Sequence, residues 1–204
     1  IEASSHALDQ GRLNSVGVDV AVLTNLSREH LDYHKNMAAY GEAKKRLFDF
    51  DSVKTAVINM DDEFGQSLID SLTNRKGLTL ITYSSQLKNM TLLAKHVKAS
   101  LKGLKFTIAN KAEAGQIECD VVGHFNIDNL LAAAGGLLAI QVPFNTVLNL
   151  INKCHDIDGR MQMLGNEDQT SVVIDFAHTP DALEKTLKSL KLLMHKDGQL
   201  WCVF

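Results

Sequence analysis

The chain has 204 residues, of which 45% are hydrophobic and 22% are charged, an ordinary composition for a globular protein of one large or two small domains. Its formal charge is −3 without long runs of one sign, which argues against nucleic acid as a partner. The apolar runs are far shorter than the roughly 20 residues that cross a bilayer, so we expect no membrane span. Three widely separated cysteines favour free thiols in a reducing cytoplasm.

The first part of the chain alternates between strand and helix patterns. Buried strands are predicted at residues 18–23, 55–58 and 78–83. Apolar residues at spacings of three and four predict a helix around Tyr40 to Phe48, and a further helix is predicted at residues 62–72. This alternation indicates an α/β fold with a mostly parallel sheet flanked by helices.

The next part predicts a different arrangement. Residues 90–122 form short alternating stretches, which indicate a small antiparallel sheet. Residues 126–140 predict a buried helix, in which Gly135 and Gly136 would allow close packing. Pro143 suits the start of another helix that runs to about residue 151.

The end of the chain predicts the start of a second domain. A strand at residues 171–175 precedes a helix that begins at Pro180, with Thr179 as its N-cap. An apolar run at residues 200–204 would complete a βαβ unit. We therefore place a first domain at residues 1–165 and the start of another at residues 166–204. Because Ile1 is not an initiator Met and the last strand looks unfinished, we expect a fragment of a longer enzyme.

Two polar segments near the N-terminus could carry chemistry. The first contains Glu2, Ser4, Ser5 and Arg12, which could hold a metal and an anionic substrate. A helix start capped by Ser4 or Ser5 is the simpler interpretation. The second follows the first strand, where open α/β sheets place ligands. There His30 and His34 would share a helix face as in zinc sites, but without clustered cysteines a structural role is the more common one.

Two further features concern reactivity and nucleotide binding. Lys44 lies one helical turn from Tyr40 and from Phe48, so its stem should flank the apolar face. Such a lysine either extends to water or becomes a reactive neutral amine. Asp175 and His178 lie between a strand and a helix N-terminus, where nucleotides often bind, or they simply satisfy loop donors. A GxxxxGK[ST] phosphate loop is absent from the sequence.

Taken in order, seven segments of this sequence resemble the Mur ligase family, and most of all its members that add a third amino acid to a UDP-muramoyl dipeptide. The segments are EASSHALDQGR, TNLSREHLDYH, YGEAK, NMDDEFG, GHFNIDNLLAA, GRMQ and DFAHTPDALEKTL. The resemblance implies that residues 1–165 are a central ATPase domain without its phosphate-loop portion, and that residues 166–204 begin the Rossmann-like C-terminal domain. It also implies a monomer.

The resemblance implies a reaction in which ATP, with Mg²⁺, phosphorylates UDP-N-acetylmuramoyl-dipeptide and a free amino acid, diaminopimelate or lysine, attacks the acyl phosphate. Glu2, His30 and a carbamylated Lys44 would hold Mg²⁺. The remaining implied site residues contact either the muramoyl substrate (Ser4, Gln10, Arg12) or the nucleotide (Asn126, Asn129, Arg160, Asp175, His178).

The departures from the family pattern are mild: Ala3 replaces a larger aliphatic residue, and Phe176 replaces Tyr. Three alternatives stay open. A sister ligase of the folylpolyglutamate synthase or cyanophycin synthetase type would share the scaffold. A non-catalytic regulatory module on the same fold, and a zinc hydrolase, would use different chemistry.

Overall fold

The computed structural model describes residues 1–165 and 170–203, and it places six strands in one sheet. In chain order, which is also their order in the sheet, the strands are β1 (Val20–Leu23), β2 (Thr55–Asn59), β3 (Thr79–Ser84), β4 (Leu92–Ser100), β5 (Gly103–Ala109) and β6 (Ala114–Cys119). Strands β1 to β4 pair in parallel, whereas β4, β5 and β6 pair antiparallel. The predicted antiparallel strands therefore exist, but they extend the parallel sheet through β4.

Seven helices lie in the described part of the chain: α1 (Ser5–Asp9), α2 (Leu31–His34), α3 (Met37–Lys45), α4 (Glu63–Leu72), α5 (Asn126–Ala139), α6 (Phe144–Ile151) and α7 (Pro180–Leu193). The helices predicted at residues 62–72 and 126–140 are confirmed. Side-chain oxygens of Ser4, Asn36, Asp62 and Thr179 accept backbone N–H bonds at the N-termini of α1, α3, α4 and α7. These caps explain where four helices begin. None of the described helices is both long and apolar enough to cross a membrane.

The core lies on both faces of the central strands. All five residues of β2 are buried, and alternate side chains enter different apolar clusters. Val57 packs with α5 and the antiparallel strands, whereas Ala56 and Ile58 pack with residues of β1 and α4. A parallel strand covered on both sides explains the continuous apolar pattern. This packing fixes the carboxyl ends of β1 and β2, from which the polar loops emerge.

The chain after α6 forms two short strands and one helix. Strands β7 (Gln162–Leu164) and β8 (Val172–Ile174) form an antiparallel pair, and α7 follows β8. Helix α7 begins as predicted, with Thr179 as N-cap. Residues 200–203 form no strand, so the last strand of the predicted βαβ unit is missing from the described residues. A strand forms only where a neighbouring strand can accept and donate its backbone hydrogen bonds. Leu200 and Cys202 instead line a groove along α7. The predicted domain boundary at residue 165 adjoins residues 166–169, which the structure does not describe, and it stays a prediction.

Candidate functional site

The candidate site forms where the chain leaves β1. Residues 24–30 connect β1 to α2, and two side chains from the neighbouring strand and helix hold this loop. Asn59 donates from Nδ2 to the Thr24 carbonyl at 2.7 Å, and Leu26 donates its N–H to Asp62 Oδ2 at 3.1 Å. The loop is therefore tied to the carboxyl end of β2, the edge at which open α/β sheets place ligands.

Lys44 lies on α3 beside this loop. Its ammonium donates to the Ala3 carbonyl at 3.3 Å and is partly buried. Burial lowers the pKa of Lys44, although the nearby carboxylates of Glu2 and Glu29 oppose that shift. The side chain thus occupies the half-buried position predicted from its spacing. Glu2, a predicted partner of Lys44, thus influences its charge, and so does Glu29, which was not predicted.

Tyr40, one turn before Lys44, is buried and feels the same two carboxylate charges. Its exposed fraction is 4%, and burial, followed by Glu29 and Glu2, raises the pKa of its hydroxyl. The ring contacts the imidazole of His30 edge-on, with centroids 5.8 Å apart. Tyr40 therefore packs against His30 from the same helix that carries Lys44.

His30 precedes α2 with a left-handed backbone, at a φ of 58°. Its Nε2 lies 3.8 Å from one carboxylate oxygen of Glu29, and its ring lies edge-on to that of His6, with centroids 4.8 Å apart. A left-handed conformation costs a non-glycine residue roughly 1 kcal/mol or more, so the surrounding packing must determine this position. The candidate metal ligand is thus held by its neighbours.

His34 does not join His30 in a metal site. Its Nε2 forms a 2.9 Å hydrogen bond with Ser5 Oγ in a buried setting, and its ring stacks on Tyr40. Burial lowers the pKa of His34, which favours the neutral imidazole. In the described part of the chain, no group of three or more His, Cys, Asp or Glu side chains is arranged to hold a metal ion. The geometry supports a structural role for His34.

Helix α1 positions the three predicted substrate residues. Ser4 Oγ accepts from the Ala7 N–H at 3.2 Å, which is the capping role that the simpler interpretation expected. At the other end, Gly11 and Arg12 donate backbone N–H bonds to Leu8 and Ala7. These two backbone hydrogen bonds together form a Schellman motif. The Gln10 amide donates to the Tyr33 hydroxyl at 3.3 Å, and the Arg12 side chain is exposed.

The predicted nucleotide residues form two further groups. On the first turn of α5, Asn126 donates to the Val122 carbonyl and accepts from Asn129. Just before β7, the Arg160 guanidinium lies 5.0 Å from the centroid of the Phe176 ring. These contacts orient the side chains of Asn126, Asn129 and Arg160.

Asp175 and His178 follow β8. The Asp175 carboxylate accepts from the N–H groups of Met161 and Ala177 and from the Thr186 hydroxyl, as the loop interpretation expected. His178 Nε2 lies 3.9 Å from Glu29 Oε1, so the two oxygens of Glu29 face two imidazoles. The structure therefore brings His178 to the same carboxylate as His30.

Glu29 was not among the predicted site residues, although it approaches both His30 and His178 and affects the pKa of Lys44. A signal existed, since Glu29 directly precedes His30 in the loop after β1. Tyr40 was recognised only as an apolar neighbour of Lys44. Its contact with His30 depends on the packing of α2 against α3, which spacing does not reveal.

Comparison with known proteins identifies the family. Residues 1–137 match the Mur ligase middle domain, and residues 159–204 match the Mur ligase glutamate ligase domain. The chain belongs to the Mur ligase family. The family resemblance inferred from the ordered motifs is thereby confirmed.

Individual Mur ligases agree with this assignment. The chain is 44% identical over 208 residues to the UDP-N-acetylmuramoyl-L-alanyl-D-glutamate--2,6-diaminopimelate ligase of Xylella fastidiosa, covering 100% of the chain and 41% of the relative. A solved structure of a ligase with the same name aligns with a TM-score of 0.81 at 38% identity, over 96% of this chain and 40% of that one. MurF from Acinetobacter baumannii, 15% identical, shares the fold with a TM-score of 0.76 over 88% of this chain and 38% of its own. The chain thus spans about 41% of its curated relatives.

Proposed function

We propose that this chain is the central part of an ATP-dependent ligase that adds the third amino acid to UDP-N-acetylmuramoyl-dipeptide. The names of its relatives favour diaminopimelate over lysine as that amino acid. We propose a location in the cytoplasm, since the cysteines of the described chain are free thiols, as expected in a reducing compartment. We also propose that the protein is a monomer. The domain division near residue 165 belongs to the same proposal.

In the proposed reaction, the terminal carboxylate of the dipeptide attacks the γ-phosphate of ATP, giving an acyl phosphate and ADP. The amine of the third amino acid then attacks the acyl carbon, and phosphate leaves as the amide forms. Developing charge on the transferring phosphoryl group needs fixed cations. Mg²⁺ would supply this positive charge when bound.

The observation that carries the proposal is the half-buried position of Lys44, whose pKa responds to the charges of two carboxylates. The amine is half-buried on α3, its pKa is lowered by burial, and Glu2 and Glu29 lie close to it. A neutral lysine amine can add to CO₂: the nitrogen bonds to carbon, a proton leaves, and a carbamate with two oxygens results. Such a product changes a cation into an oxygen ligand.

The side chains near Lys44 suit a Mg²⁺ ion that the protein coordinates only in part. Mg²⁺ keeps waters and takes one or two protein carboxylates together with substrate phosphates, rather than a complete protein cage. Glu2, His30 and the carbamate of Lys44 would form such an open set, with Glu29 oriented beside His30. The chemistry of these side chains therefore suits a metal that is shared with the nucleotide.

The other assignments rest on the matched family positions. We assign Ser4, Gln10 and Arg12 to the muramoyl substrate, at the two ends of α1. The assigned nucleotide contacts are Asn126, Asn129, Arg160, Asp175 and His178. The approach of His178 to Glu29 supports a nucleotide position that borders the proposed Mg²⁺ site.

The test replaces Lys44 in the full-length ligase that contains this chain. We expect Lys44→Ala to lower kcat for Mg²⁺-dependent ligation roughly 100-fold or more, because it removes a fixed charge-stabilising group. Added acetate or formate should restore part of the activity by replacing the carbamate oxygens. Lys45→Ala, on the same helix, is the control and should stay active.

Two results would overturn parts of this proposal. Unchanged activity of Lys44→Ala removes the assignment of that lysine. If the unmodified ligase releases no phosphate with UDP-N-acetylmuramoyl-dipeptide and diaminopimelate, the proposed reaction itself is wrong. Turnover of a glutamylated folate instead would favour the sister ligases.

A further inference from the structure

A hydrogen-bonded network joins the end of α1 to α2 and α3. The Tyr33 hydroxyl donates to Asp9 Oδ2 at 2.9 Å and accepts from Gln10 Nε2 at 3.3 Å. The Arg46 guanidinium contacts Asp9 twice, through Oδ1 at 3.0 Å and through the backbone carbonyl at 3.0 Å. This Arg46–Asp9–Tyr33–Gln10 network is distinct from the proposed metal and nucleotide contacts.

The protons of this network can be assigned from its chemistry. The Asp9 carboxylate, paired with the Arg46 guanidinium, can only accept hydrogen bonds. Tyr33 must therefore give its single hydroxyl proton to Asp9, and its oxygen can then only accept from Gln10. The Gln10 amide must present its NH₂ group to Tyr33, which leaves Oε1 for another partner.

We infer that Tyr33, held by Asp9 and Arg46, is a positioning residue that makes Gln10 a hydrogen-bond acceptor toward the substrate. This inference rests on the proposed function, in which Gln10 contacts the muramoyl substrate. The group that Gln10 recognises must then be a donor, either a peptide N–H or a sugar hydroxyl. Without Tyr33 the amide could rotate and present either its donor or its acceptor end.

The fold keeps the network in place. Gln10 is the C-cap residue of α1, and its backbone N–H donates to the His6 carbonyl. The Tyr33 ring packs on the His6 ring, with centroids 4.3 Å apart, so Tyr33→Phe can retain that contact while it removes the hydroxyl. Tyr33 is 37% exposed, and both hydrogen bonds of its hydroxyl lie at the surface. The expected effect is accordingly that of one partly exposed hydrogen bond.

The experiment measures steady-state constants of the full-length ligase with Tyr33→Phe, Gln10→Leu and the double variant. We expect Tyr33→Phe to raise KM for UDP-N-acetylmuramoyl-dipeptide roughly three- to tenfold, the range given by one hydrogen bond. The KM values for ATP and the amino acid should not change. Asp19→Asn, which breaks the exposed ion pair with Lys54, is the control and should behave like the unmodified ligase.

The double variant separates positioning from general packing. If Tyr33 acts through Gln10, Tyr33→Phe adds nothing to the effect of Gln10→Leu. The inference fails if Tyr33→Phe leaves KM for the muramoyl substrate unchanged, or if its effect is as large in the Gln10→Leu background. An unmodified ligase that does not use the muramoyl dipeptide would instead overturn the proposed function, before any variant is compared.

Discussion

The backbone of Gly11 determines how the chain leaves α1, and so where Gln10 and Arg12 lie. Gly11 has a φ of 67°, in the left-handed region that favours glycine. This conformation lets Gly11 and Arg12 donate to the last carbonyls of the helix, at Leu8 and Ala7. The two proposed substrate residues flank this turn, so a change of its backbone affects both of them.

We expect Gly11→Ala to lower the free energy of unfolding by about 1 kcal/mol, because an L side chain is strained at this φ. The new Cβ would also lie 2.8 Å from Asn14 Nδ2, a flexible side chain that can move. Gly11→Asn should cost less, since asparagine tolerates the left-handed region. Urea unfolding of the three proteins checks this order, and a loss as large for Asn as for Ala would contradict it.

Single residues differ in how far the sequence alone can place them. The half-buried position of Lys44 follows from its spacing to Tyr40 and Phe48, which are 4% and 2% exposed. The approach of Glu29 to His178 does not follow from any local pattern, because the two residues are distant in sequence. A contact between distant residues requires the packing of whole elements, so local spacing predicted Lys44 but missed Glu29.

Helix α5 shows how two adjacent glycines can have different roles. A Cβ on Gly135 would lie 2.5 Å from Val57 Cγ1, and Val57 is fully buried in the central strand β2. A Cβ on Gly136 would meet no atom within 4 Å. Of these two glycines, Gly135 is the one that permits the close approach of α5 to the sheet.

The two glycines should respond to alanine with opposite signs. Gly136→Ala should raise the free energy of unfolding by about 0.5–1 kcal/mol, because alanine favours helix. Gly135→Ala should lower it by about 1–3 kcal/mol, because Val57 cannot move without overpacking the core. Chemical denaturation of both variants tests this, and stabilisation by Gly135→Ala would disprove the close contact.

The strands and helices were predictable to the extent that their residues are locally patterned. The buried run of β2 and the cap at Thr179 have signals within a few residues, and both elements form where expected. The run at residues 200–203 has the same apolar character but forms no strand in the described chain. A strand depends on a partner as well as on its own residues, which a pattern within one segment cannot supply.

The two matched regions of the chain are joined by a small apolar cluster. Val122 from the chain before α5 packs with Met161 and with Leu190 of α7, and all three are buried. This cluster packs α7 against the segment between β6 and α5. His178, just before α7, also approaches Glu29. The position of the segment that contains His178 and α7 therefore affects the geometry of the candidate site.

Removal of Leu190 should therefore loosen the C-terminal segment. We expect Leu190→Ala to cost about 2–3 kcal/mol, the lower part of the range for buried leucines, because the cluster is small. Leu192→Ala is the matched control on the same helix, since Leu192 is 80% exposed and Leu190 only 8%. Hydrogen–deuterium exchange should show lower protection of α7 in Leu190→Ala alone, while the amides of β2 stay protected. Equal loss in both variants, or loss throughout the sheet, would show that this cluster does not join the two regions.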